Sequence, residues 1–209
     1  MNDTGLTVML LLAYLIGATP TSYLAGKLGR GIDLREHGSK NLGATNVYRV
    51  LGWRYAVPVA LIDMAKGIVP VAILGPWSNG PGWFMVALGL AAVLGHMYSP
   101  YVRFKGGKGV ATAAGMFLAL APLAIVLSML VWTATLWLSG YVSVASLAAA
   151  VPFPLWVRLT VPRQPYTLWA SVILALLIVY AHRANIRRLR DGTENRFRTR
   201  KGVGRALRE

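Results

Sequence analysis

Leu123-Ala124-Ile125-Val126-Leu127-Ser128-Met129-Leu130-Val131-Trp132-Thr133-Ala134-Thr135-Leu136-Trp137-Leu138 is a run of sixteen residues without a charge. As an α-helix it would be roughly 24 Å long, most of the ~30 Å hydrocarbon thickness of a bilayer. Leu6–Leu28, Tyr55–Leu74, Trp83–Tyr98, Val110–Ala121, Val142–Leu159 and Leu168–Ala181 read the same way. Composition agrees: 56% of residues are hydrophobic and 14% charged, with a mean hydropathy of +0.52. A soluble domain carries roughly a quarter charged residues. The expected fold is all-α, a polytopic helical membrane protein with about seven transmembrane helices, forming one domain over residues 1–209. Val110–Ala121 is the shortest run, below the ~20 residues of a full crossing. Before the first run stands Asp3 and no Lys or Arg. That run therefore reads as a span with the N-terminus outside, not as a signal peptide.

Charge separates one side of this bundle from the other. The net charge is +15, from 22 Lys and Arg against 7 Asp and Glu. Six of the basic residues lie between Lys27 and Arg54, three between Arg103 and Lys108, and ten between Arg183 and Arg208. Placing all three segments on the cytoplasmic side requires an even number of spans between each pair, which puts the C-terminus inside. Residues 196–209 read as a basic cytoplasmic tail drawn to anionic lipid. Cysteine is absent, so disulfides, thiolate metal sites and a cysteine nucleophile are excluded.

Each basic segment also carries site chemistry that positive-inside bias alone leaves unexplained. In Arg35-Glu36-His37-Gly38-Ser39-Lys40-Asn41-Leu42-Gly43-Ala44-Thr45-Asn46-Val47-Tyr48-Arg49, Gly38 and Gly43 permit tight turns. Ser39, Asn41, Thr45 and Asn46 add short donors, while Arg35 and Arg49 add forked cations suited to phosphate or carboxylate. The plain alternative is a polar loop with helix caps. In Phe104-Lys105-Gly106-Gly107-Lys108-Gly109-Val110-Ala111-Thr112 a glycine loop feeds a helix N-terminus, an arrangement that binds phosphate. Gly109 follows Lys108 where a P-loop has Ser or Thr, so a nucleotide fold is not indicated. In the third segment His182 and Asn185 share a helix face if the last span continues. Glu194, among arginines, reads as one half of a structural ion pair. Asp63 and Lys66, three apart in the second span, read as an internal pair supporting helix packing.

Three of these stretches together resemble the bacterial acyl-phosphate:glycerol-3-phosphate acyltransferase family: Gly38–Asn46, Phe104–Thr112 and His182-Arg183-Ala184-Asn185-Ile186. The family usually has glycine where this chain has Lys40. The resemblance implies a seven-span fold with cytoplasmic motifs in the bacterial inner membrane. It implies acyl transfer from acyl phosphate to glycerol 3-phosphate, giving lysophosphatidic acid for phospholipid synthesis, without metal or bound cofactor. Ser39, His182 and Asn185 would be catalytic. Arg35, Asn41, Thr45, Asn46, Arg49, Gly106, Gly107, Lys108 and Gly109 would bind substrate. Membrane lipid and a soluble enzyme that makes acyl phosphate are the expected partners, and nucleic acid is not. The proton of the attacking hydroxyl has two expected acceptors, the donor's own phosphate or His182. The same cations could serve an organic-phosphate transporter, but a transport path needs polar residues through the spans, where only Asp63 and Lys66 lie.

Overall fold

The structure, a computed structural model, describes residues 2–197. Most of the basic tail, residues 198–209, lies outside the described residues. Among the described residues every regular element is helical. The chain divides into two compact units, one up to residue 119 and one from residue 120 onward.

The first unit opens on a 28-residue apolar span, Asp3–Arg30, interrupted between the helices Asp3–Ala18 and Thr21–Arg30. Pro20 causes the interruption, since it has no N–H to continue the ladder. Inside a bilayer the carbonyls at such a break need other donors. The Ser99 hydroxyl donates to the Ala18 carbonyl at 2.5 Å, and the Lys66 ammonium donates to that of Thr19. A loop and the short helix Ala44–Leu51 lead to the second span, Trp53–Ser78, and a third span follows over Gly82–Val102. The unit's last helix, Val110–Leu120, has 11 residues.

Glycines let these helices meet at backbone distance, the usual mode in membranes where apolar burial gives no drive for association. A Cβ on Gly17 would lie 2.0 Å from the Ala92 carbonyl oxygen, and one on Gly95 would lie 2.1 Å from that of Tyr14. The helices Asp3–Ala18 and Gly82–Met97 are thereby locked together. The loop after Arg30 is fixed differently. Leu34, Leu42, Val47, Leu51, Val59 and Val102 form a buried cluster beneath it.

The second unit begins with the helix Pro122–Ser139. Val142–Ala150 and Phe153–Thr160 follow, bent by 42° where Pro152 interrupts the ladder. Pro165–Ala181 and Arg183–Arg190 are bent by 51° at His182. The last span therefore does not run straight through His182. The Ser128 hydroxyl donates to the Ala149 carbonyl, and the Trp132 indole donates to Ser146, tying the first helix to the second.

Among the described residues, four helices can cross a membrane by length and apolarity, or six if each bent pair is one crossing. The difference from seven is Val110–Leu120, which at about 16 Å reaches only half the hydrocarbon thickness.

Candidate active site

The first loop is organised around the side chain of Asn46, which is 1% exposed. Its amide donates to the Leu34 and His37 carbonyls, both at 3.1 Å, and its oxygen accepts the Ser39 N–H at 2.7 Å. Asn46, expected to face substrate, thus commits both amide protons to closing the loop. Gly38 lies against it with φ +60°, and a Cβ there would meet the Asn46 oxygen at 2.4 Å. Lys40 also adopts a left-handed conformation, φ 59°. A side chain there costs about 1 kcal/mol relative to glycine. The turn that glycine would make is kept, with the Lys40 side chain exposed.

This closure leaves Ser39 half-buried, its hydroxyl without a hydrogen-bond partner among the described residues. Thr45 and Arg49, four apart on the helix Ala44–Leu51, share one face and are half-buried, as is Asn41. Arg35 is occupied within the protein. Its guanidinium forks onto Asp33 at 2.6–3.1 Å and donates to the Val102 carbonyl at 3.1 Å, above the Tyr23 ring. The Arg35 hydrogen bonds hold the Asp33 carboxyl below its ordinary range, against the opposing effect of burial.

The glycine loop meets the first loop through this same Val102 carbonyl. Gly106 and Gly107 do not present free N–H groups. They donate to the Met97 and His96 carbonyls, both at 3.1 Å. A loop packed on the end of a helix must pair its donors. Their lack of side chains serves close approach: a Cβ on Gly106 would be 2.0 Å from the His96 oxygen. One on Gly107 would be 2.1 Å from His96 Nε2 and 2.7 Å from the Leu42 oxygen. Gly109, with φ +79°, turns the chain into the helix Val110–Leu120, and Lys108 stands directly before it. Arg103 and Phe104, on the approach to this loop, are both left-handed as well. Two of the three basic segments therefore adjoin within one unit.

The third segment belongs to the second unit. His182 is buried at the bend, and its Nδ1 lies 2.8 Å from the Ile178 carbonyl. A carbonyl only accepts, so Nδ1 carries a proton toward it. Asn185, also buried, donates to Glu194 Oε1 at 2.6 Å. Ser143 donates to the same oxygen at 2.9 Å, and Arg188 to Oε2 at 2.7 Å. Burial raises the Glu194 pKa, but hydrogen bonds from Asn185, Arg188 and Ser143 outweigh it and hold the carboxyl low. In the first unit Asp63 and Lys66 form a buried pair at 2.6 Å. No group of three or more His, Asp or Glu among the described residues is placed to hold a metal ion.

Residues 7–192 match the glycerol-3-phosphate acyltransferase family. The chain belongs to that family. The match includes all three motif stretches, and the chain is an all-helical integral membrane protein. The glycerol-3-phosphate acyltransferase of Geotalea daltonii is 46% identical over 191 residues, covering 91% of this chain and 97% of its own. That of Fusobacterium nucleatum is 42% identical over 189 residues, 90% and 96% of the two chains. A crystal structure of PlsY, an integral membrane glycerol 3-phosphate acyltransferase in its glycerol 3-phosphate form, is 40% identical. It superposes with a TM-score of 0.87 over 93% of this chain and 96% of that one.

Sequence reasoning paired Asp63 with Lys66 and Glu194 with a nearby arginine, and missed the other partners of these residues. Asp33, two positions before Arg35, was the legible one. Ser143 and the contact of His96 with Gly107 gave no local signal, because both join elements far apart in sequence.

Proposed function

We propose that this membrane enzyme transfers the acyl group of an acyl phosphate to glycerol 3-phosphate, releasing lysophosphatidic acid and phosphate. The observation that supports it most is the junction of the first loop with the glycine loop. Ser39 lies on the first loop, Thr45 and Arg49 on the helix Ala44–Leu51 that follows it, and Lys108 just before the N-terminus of Val110–Leu120. Both substrates carry phosphate, and these donors and cations suit phosphate oxygens. Arg35 and Asn46 act by holding the loop, with Asn41, Thr45, Arg49, Lys108 and Gly109 toward the substrates. Gly106 and Gly107 act by setting the loop's depth.

In the reaction the acceptor hydroxyl oxygen bonds to the acyl carbon, and the bond from that carbon to the bridging phosphate oxygen breaks. The hydroxyl proton leaves on the departing phosphate. The donor is an anhydride, so what remains for the protein is positioning and stabilisation of the developing oxyanion. Ser39, His182 and Asn185 are the residues assigned to these tasks. His182 Nδ1 faces the Ile178 carbonyl across 2.8 Å, which fixes the orientation of the ring and favours a positioning role. The membrane is the bacterial inner membrane, with the site facing the cytoplasm, the N-terminus outside and the C-terminus inside. A soluble acyl-phosphate-forming enzyme is the partner that would deliver the donor.

Purified protein given acyl phosphate and glycerol 3-phosphate should form lysophosphatidic acid and phosphate in equal amounts. No product with the donor intact, or equal use of an acyl thioester, contradicts the reading. His182→Ala should keep measurable activity and the acid limb of the pH–rate profile. Loss of that limb together with nearly all activity would make His182 the base.

A further inference from the structure

The Asp63–Lys66 pair is connected to the glycine loop. Asp63 is 1% exposed and Lys66 4%. The three Lys66 protons meet three acceptors: Asp63 Oδ1 at 2.6 Å, Thr21 Oγ1 at 3.0 Å and the Thr19 carbonyl at the helix break, which also accepts the Thr21 N–H. The Thr21 hydroxyl donates in turn to Asp63 Oδ1 at 2.5 Å. The same carboxylate oxygen faces His96 Nδ1 at 3.5 Å. His96 closes the chain of contacts. Its backbone carbonyl holds the Gly107 N–H, and its Nε2 stands where any Cβ on Gly107 would have to go, at 2.1 Å. Thr21, His96, Gly106 and Gly107 line one small cleft. All of these residues belong to the first unit.

We propose that His96, oriented by Asp63, is a positioning residue for glycerol 3-phosphate: its ring is the floor on which Gly107 rests. The Asp63–Lys66–Thr21 cluster fixes the ring, the ring fixes the depth of the glycine loop, and the loop aims Lys108 and the helix N-terminus at the acceptor phosphate. This rests on the reading that Lys108 holds that phosphate. It gives the intramembrane pair a task beyond helix packing, because Thr21, Asp63 and Lys66 come from two spans and His96 from a third.

The test is steady-state kinetics in both substrates for His96→Ala, Gly107→Ala, the double variant and Lys108→Ala. Small displacements of a positioning element cost up to ~100-fold, so each single variant should raise the glycerol 3-phosphate KM by about tenfold. The acyl-donor KM should stay within about twofold, the signature of an acceptor-side change. In the double variant the added methyl enters space the ring has left. Its KM should then fall well short of the product of the two single effects, a coupling expected only of residues in contact. If His96→Ala fails to fold, His96→Asn keeps a donor toward Asp63 while removing the ring edge, and the same rise is expected of it. An unchanged acceptor KM in the His96 variants, or strict multiplication of the two effects, overturns the proposal. An unchanged acceptor KM in Lys108→Ala instead removes the loop from the acceptor site and overturns the reading beneath it.

Discussion

Asp63 and Glu194 are built alike and placed differently. Each carboxylate is held by one hydroxyl, one ring or amide nitrogen and one cation: Thr21, His96 and Lys66 around Asp63, and Ser143, Asn185 and Arg188 around Glu194. Asp63 lies within a span, with its cation 4% exposed. Glu194 lies beyond the last helix, and the Arg188 side chain is 34% exposed. The contrast shows what the surroundings decide. Water reaches the cation beside Glu194, whereas at Asp63 both partners are shut away from it.

The largest effect should follow from breaking the intramembrane pair. Removing one member of a buried ion pair costs about 3–5 kcal/mol, while replacing both with apolar residues is often nearly neutral. Lys66→Ala should therefore unfold in detergent well below the wild type, and Asp63→Leu/Lys66→Met should recover most of that loss in a thermal melt. Equal losses in the single and double variants would break the comparison.

Glu194→Gln should cost less, about 1.5–3 kcal/mol for weakened hydrogen bonds to a charged group. It should also change the response to acid. The folded-state pKa of Glu194 is lowered, so its contribution is fully present above its unfolded-state value and is lost as pH falls through the lower folded-state value. Asp33, also lowered, behaves the same way. In melts taken from neutral pH down to acid, the wild type should lose stability more steeply than Glu194→Gln over that window. Parallel curves would show that the Glu194 cluster does not hold its carboxyl low.

The smallest effect belongs to a position outside both clusters. Lys40→Gly relieves a left-handed side-chain conformation and should raise stability by up to about 1 kcal/mol, offset in part by glycine's greater freedom in the unfolded chain. A drop in stability would mean that the Lys40 side chain has a role beyond tolerating the turn.

The all-helical membrane fold was legible because apolar runs such as Leu123–Leu138 need no partner to be recognised. The limits of the individual crossings were harder to read. Val110–Leu120 is apolar but short, and the bends at Pro152 and His182 depend on how broken helices pack. In the candidate site the motif residues were legible as a set, from the density of Gly, Ser, Asn and cations. Their individual tasks were less so. Gly106 and Gly107 suggested exposed N–H groups, but both donors are bound by the end of the helix Gly82–Met97, a contact no local pattern records. Asn46 looked like a ligand donor and closes the loop, because its partners Leu34 and His37 lie up to twelve residues away.

Binding of glycerol 3-phosphate to the purified protein, measured by titration calorimetry without acyl donor, tests the central claim most directly. The wild type should bind saturably, inorganic phosphate should compete, and Lys108→Ala and Arg49→Ala should each abolish or greatly weaken the binding. Undiminished binding in both variants would contradict a phosphate site built from the first loop and the glycine loop.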